Sequence, residues 1–175
     1  MQPGDVQVNR NTLVMPARTA YTTIIETAAT AWEIDPHLLE ALIITESAGH
    51  ADAFRFEPLY AQRYRVAERY PQWPVRAVAA SYGLCQLMFL TAKGLGYVGE
   101  PEGLFLPSLN VSLGAQYLRS CWDWAAHFGQ PDPVTMQAAL CAYNGGRNSN
   151  TSPMNPRPSN VAYAVKVLKI ASELA

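Results

Sequence analysis

The segment Asp35-Pro36-His37-Leu38-Leu39-Glu40-Ala41-Leu42-Ile43-Ile44-Thr45-Glu46-Ser47-Ala48-Gly49 carries its own start and stop for a helix. Asp35 offers a side-chain oxygen to the first free N–H groups, and Pro36 brings a fixed φ that suits the first turn. Gly49 is the matching stop. Between them Leu39, Leu42, Ile43 and Glu46 recur at helical offsets, so they share one face. A carboxyl in line with an apolar stripe is costly to ionise, because burial disfavours the charged form. It holds its proton to higher pH, as a general acid near neutrality must. Glu40 points to another face, where a solvated glutamate is expected. If the helix ends at Ala48–Gly49, Glu46 reaches water instead, and periodicity alone does not choose between the two.

The helical period continues outward in both directions. Pro16 opens a helix over Ala17–Trp32, and residues 1–15 read as a polar, aperiodic N-terminal arm. Residues 60–70 and 74–82 read as short helices broken by Pro71 and Pro74. Residues 85–93 form another, ended by Gly94 and Gly96. Ser108–Phe128 is the longest amphipathic stretch, and Gly129 stops it. Asp132-Pro133 opens a helix to about Tyr143. After a polar, Pro/Asn-rich loop over 144–158, Ser159 caps the last helix. No two-residue alternation and no internal repeat is visible. The expected fold class is all-α, with residues 1–175 forming one domain.

Composition supports one globular unit. The chain has 175 residues, 49% hydrophobic and 15% charged, with a formal charge of −1. That balance excludes disorder, which needs low hydrophobicity and high net charge. It supplies no basic surplus for nucleic acid, and no apolar run is long enough for an integral membrane segment. The opening MQPGDVQVNRNTLVMP lacks the cationic start and apolar core of a secretory signal, so the chain is either not exported that way or already trimmed. Cys85, Cys121 and Cys141 form no CxxC pair, and their spacing suits neither a disulfide framework nor zinc; buried thiols are expected. Gly94–Gly99 matches GxGxxG, but it follows a helix rather than a strand, so no dinucleotide is expected. His37 and Glu40 lie on one face without a second ligand pair and read as a surface polar pair, not a metal site.

Four short motifs occur in a telling order: Glu46-Ser47 at a helix end, Gly83-Leu84-Cys85-Gln86-Leu87-Met88, Ala142-Tyr143-Asn144-Gly145-Gly146, and Tyr163-Ala164-Val165-Lys166-Val167-Leu168. With their helical context they resemble the catalytic domain of the soluble lytic transglycosylases, relatives of goose-type lysozyme that cleave peptidoglycan. The resemblance covers about residues 20–172. It implies a lysozyme-like helical domain with a substrate groove. It also implies Glu46 as the sole catalytic acid/base, with Ser47 the serine that follows it. Gln86 and Met88 would line the groove floor, Tyr143 and Asn144 would sit beside the scissile bond, and Tyr163 would project toward the glutamate. Without the resemblance, both tyrosines read first as core aromatics with a satisfied hydroxyl, and it is the resemblance that turns them toward the site.

Two features depart from that family's pattern. Cys85 stands where the family usually has methionine, and a longer stretch separates Glu46 from Gly83. The extra segment, about 52–78, begins near Phe54-Arg55-Phe56-Glu57-Pro58 and is similar to the insert of phage-encoded members. Its aromatics (Tyr60, Tyr64, Tyr70, Trp73) read either as a groove wall or as a helical pair packing its own rings. Glu57 is expected in an ion pair with an arginine. The resemblance implies cleavage of the β-1,4 bond between N-acetylmuramic acid and N-acetylglucosamine with formation of a 1,6-anhydro product. No cofactor or metal is expected, and the implied partner is the peptidoglycan glycan strand, bound by a monomer. The alternatives are a goose-type lysozyme using water, and a non-catalytic glycan-binding or virion module. The expected place of action is the bacterial cell wall, reached as a phage endolysin released from the host cytoplasm by a holin, or with the virion.

Overall fold

A helix is only as good as its ends, and α2 (Pro36–Ser47) is tied at both. Asp35 accepts from the backbone N–H of His37 at 2.8 Å and of Leu38 at 3.4 Å. At the other end Ala48 turns left-handed at φ 53°, its N–H reaching the Ile44 carbonyl. The computed structural model describes residues 15–147 and 156–175; residues 1–14 of the expected arm and 148–155 of the expected loop lie outside them. α1 (Met15–Trp32) precedes α2, and α7 (Pro107–Ala126), α8 (Asp132–Gly145) and α9 (Pro158–Leu174) complete the helical frame. The last helix starts with Arg157 at its cap and Pro158 in its first turn, so Ser159 lies inside it rather than capping it.

Between α2 and α7 the chain builds something the periodicity missed. β1 (Phe54–Phe56), β2 (Ala80–Tyr82) and β3 (Leu87–Met88) form an antiparallel sheet in that order. Short helices α3 (Pro58–Arg63), α4 (Val66–Arg69) and α5 (Val75–Val78) connect β1 to β2, and α6 (Phe89–Gly94) follows β3. The stretches 74–82 and 85–93, expected to be wholly helical, therefore each contribute a strand. Strands of two or three residues are too short to show a period of two. The protein remains dominated by helix, with the sheet as a local insertion.

Two cores result, and α7 serves both. Val111, Ala115 and Leu118 lie along one stripe and pack with Leu39, Leu42, Ile43, Leu140 and Val167. Leu109, Leu113 and Tyr117 lie along the adjacent stripe and pack with Val66, Val78, Tyr82, Leu87, Phe89 and Leu104. Burying each large aliphatic side chain contributes about 1.5–3 kcal/mol. α2 lies between α1 and α9, so little of its surface is left for water. Glu40 is accordingly buried, at 6% exposure, which corrects the solvated surface position expected for it. The three cysteines are free and buried.

The turn from β2 to β3 is held to α7 by side chains. Asn110, fully buried, donates to the carbonyls of Tyr82 and Leu104 at 2.8 Å each and accepts from the Cys85 N–H at 2.8 Å. Gly83 has φ +68°, and a Cβ there would meet the Asn110 side chain at 2.7 Å. Gly114 lets α7 approach just as closely, since its Cβ would lie 2.5 Å from the Cys85 sulfur.

Candidate active site

Packing α2 against α9 brings together two side chains that are 117 positions apart. The Tyr163 hydroxyl donates to Glu46 Oε1 at 2.6 Å. Glu46 sits in the last turn of α2, half-buried rather than freely solvated, so the structure decides the question its periodicity left open. Burial raises its pKa above the ordinary glutamate range. The Tyr163 hydrogen bond and the positive charges of Arg55 and Lys166 pull against that rise without cancelling it. Burial and the adjacent Glu46 push the Tyr163 hydroxyl up in turn, so it stays protonated and keeps donating.

Glu46 opens onto a cleft of about 520 Å³ between the helical frame and the sheet. On the sheet side Arg55 pairs in register with Ser81, and Ser81 with Met88. Side chains alternate along a strand, so these three form a row across one face, and all three line the cleft. Glu57 also lines it, with its carboxylate engaged by the Arg55 guanidinium as an ion pair. Gln86 and Met88 lie at the end of the loop and in β3. Gln86 takes φ 45°, and its Nε2 donates to the carbonyls of Ala53 at 3.1 Å and Gly83 at 3.0 Å. Its amide oxygen is left for the cleft. Tyr143 and Asn144 line the cleft from the end of α8. The Tyr143 hydroxyl donates to the Cys85 carbonyl at 2.8 Å, and its ring lies 5.0 Å from that of Tyr117. Asn144 donates to Asn160 Oδ1 at 3.2 Å.

The arrangement sets one half-buried carboxyl with a raised pKa in a cleft lined by tyrosines and amides. A family model described as the transglycosylase SLT domain matches residues 23–168. The chain belongs to this family. Among similar proteins are the endo-type membrane-bound lytic murein transglycosylases A of Salmonella paratyphi B and Salmonella typhimurium. Each is 32% identical over 124 residues, covering 67% of this chain and 50% of the relative. The chain thus spans about half the length of the curated relatives it matches. An inactive mutant of the lytic transglycosylase Slt from Pseudomonas aeruginosa shares the fold, with a TM-score of 0.60 and 20% identity. That match covers 91% of this chain and 24% of the solved one.

Within this SLT domain the residues expected at the site are not equally placed. Glu46, Gln86, Met88, Tyr143 and Asn144 share the cleft, and Tyr163 stands behind the glutamate. Ser47 is turned away: its hydroxyl donates to the Ile43 carbonyl and accepts from the Gly49 N–H, both at 3.2 Å, and it does not line the cleft. The insert's aromatics divide between the two readings given for them. Tyr60 and Tyr64 line the cleft, Tyr60 also packing on the second core beside Tyr70 and Trp73, and Trp73 meets Phe89 edge-on at 5.1 Å. Arg55, Ser81 and Tyr117 also line the cleft, and the sequence expectation does not include them. Tyr117 sits on an apolar stripe of α7 and reads as core from its spacing. Arg55 and Ser81 face the cleft only because of a strand register no local pattern announces. Among the described residues no cluster of three or more His, Cys, Asp or Glu could hold a metal ion. No described helix is long and apolar enough to cross a membrane.

Proposed function

We propose that this SLT domain is a peptidoglycan lytic transglycosylase acting on the β-1,4 bond between N-acetylmuramic acid and N-acetylglucosamine. The observation that carries the reading is the state of the two cleft carboxyls. Glu46 is half-buried with a raised pKa and a tyrosine donor, whereas Glu57 is engaged by Arg55. The names of the Salmonella relatives point the same way. Glu46 gives its proton to the glycosidic oxygen as the bond to the anomeric carbon breaks. The carboxylate left behind is met by the Tyr163 hydrogen bond and by the charges of Arg55 and Lys166, which favour the ionised form. That carboxylate then takes the proton of the muramic acid C6 hydroxyl as its oxygen attacks the anomeric carbon. The proton count on Glu46 closes and no water is consumed. The attacking hydroxyl is already tethered to the substrate, so the step is intramolecular.

Gln86, through its free amide oxygen, and Met88, Tyr143 and Asn144 hold the sugars in this reading. Ser47 acts by finishing α2 behind the glutamate. The Phe54–Pro58 segment supports a phage-encoded enzyme, working on the wall as a monomer after release from the host cytoplasm or delivery by the virion.

A hydrolase is the one competing reading with an observation behind it, because Glu57 does line the cleft. Two-carboxylate glycosidases place an acid and a nucleophile ~5–5.5 Å apart, or an acid and a base ~6.5–9.5 Å apart. Mass spectrometry of fragments released from purified sacculi separates the readings. The expected products end in 1,6-anhydro sugars, one water lighter than hydrolysed fragments. Glu46→Gln is expected to release them at least ~100-fold more slowly while remaining folded. Reducing ends throughout would make the enzyme a lysozyme. Binding to sacculi without any release would make it a non-catalytic module.

A further inference from the structure

α3 raises a wall over the cleft whose chemistry the cleavage step does not use. Leu59 and Arg63 lie four apart on this helix, with Tyr64 just past its end, and all three line the cleft. Leu59 and Arg63 share a face, and the wall remains open to solvent: Leu59 is 80% exposed and Tyr64 42%. Tyr64 is braced by Tyr60, with ring centroids 4.4 Å apart. The charges of the cleft do not balance at this wall. The Glu57 carboxylate is engaged by Arg55, and the Glu46 carboxyl is held toward its neutral form by burial. Arg63 makes no ion pair with any described residue.

A glycan strand has no counterion for this guanidinium along its backbone. Both N-acetylated sugars are neutral, and the lactyl carboxyl of muramic acid is consumed in the amide that carries the peptide. The free carboxylates of peptidoglycan lie in that peptide stem. An arginine fork matches a carboxylate in two parallel hydrogen bonds, and the exposed Leu59 and Tyr64 offer apolar surface to the stem's aliphatic parts. We propose that Leu59, Arg63 and Tyr64 form a subsite for the anionic peptide stem, so that the enzyme selects stem-bearing over stem-stripped glycan. The subsite rests on the peptidoglycan reading above and names the part of the substrate that reading leaves open.

The test compares kcat/KM on intact sacculi and on the same glycan stripped of peptides by an amidase. For Arg63→Gln the intact-to-stripped ratio is expected to fall about tenfold, the scale of one charge-assisted hydrogen bond. The loss is expected mainly in KM, with the melting temperature unchanged because Arg63 is exposed. Arg63→Lys keeps the charge but not the fork, and is expected to retain part of the ratio. A ratio unaltered in Arg63→Gln would overturn the subsite. Co-sedimentation of Glu46→Gln, with and without Arg63→Gln, on both substrates separates the two proposals. Arg63-dependent retention on intact sacculi alone, from a wild type that cleaves neither substrate, would sink the activity and keep the subsite. Retention indifferent to Arg63 would sink the subsite whatever the wild type cleaves.

Discussion

The cleft has a helical wall and a sheet wall, and the two hold their polar groups by different means. On the helical side Glu46 stands on a twelve-residue helix capped by its own neighbours, and Tyr163 comes from another long helix packed against it. On the sheet side the strands have two or three residues, and the turn carrying Gln86 stays in place through bonds to distant elements. Asn110 bridges it to α7 and Tyr143 bridges it to α8. Local caps and helix packing thus make one wall, and long-range side-chain hydrogen bonds hold the other.

By that contrast, the change most damaging to stability is expected at the bridge and not in the Glu46–Tyr163 pair. Asn110→Ala strands two carbonyls and one N–H in a dry interior, where each unmet group costs ~1–3 kcal/mol. A loss of about 3 kcal/mol or more is expected, lowering the melting temperature by roughly 10 °C. Calorimetry of the variant checks it, and a drop of only a degree or two would mean the sheet wall stands without α7.

A middle-sized effect is expected on the helical wall. Tyr163→Phe removes one hydrogen bond to the ionised form of Glu46, with about a tenfold loss of rate and little loss of stability. The pH profile carries the sign. In the proposed mechanism Glu46 acts in its protonated form, so activity is expected to fall as pH rises through its raised pKa. Removing a bond that favours the carboxylate raises that pKa further. The alkaline limb of kcat/KM should therefore move to higher pH in the variant. A limb that stays still would make Tyr163 a packing residue only.

The smallest effect is expected at Glu57, whose side chain and that of Arg55 are 33% and 68% exposed. An ion pair this open is worth ~0–1 kcal/mol, so Glu57→Gln should stay within about threefold of wild-type clearing of sacculi. A dead Glu57→Gln would move the chemistry to the sheet wall and reverse the comparison.

The same contrast governs what could be read in advance. The ends of α2, the line of Glu46 with Leu39, Leu42 and Ile43, and the long span of α7 follow from caps and period, which act within a few residues. Glu40 reads as solvated because period reports one face, whereas α2 is packed on more than one. The strands stayed hidden because two residues make no pattern. Asn110 reads as an ordinary polar break in a helix until the loop it clamps is in view. Arg63 reads as one more surface charge until α3 is seen over the cleft. Ser47 was placed at the site through the family's motif, and its hydroxyl turned out to finish a helix.

The Glu46–Tyr163 hydrogen bond spans 117 positions, and that distance acts in time as well as in space. Closing so long a loop is slow compared with forming either helix, and a ribosome releases α9 long after α2. Until α9 docks, the carboxyl lacks the burial and the donor that tune it. An emerging chain therefore has the Glu46 carboxyl without its setting, and the cleft gains its tuned acid only once α9 has followed α2 out and docked.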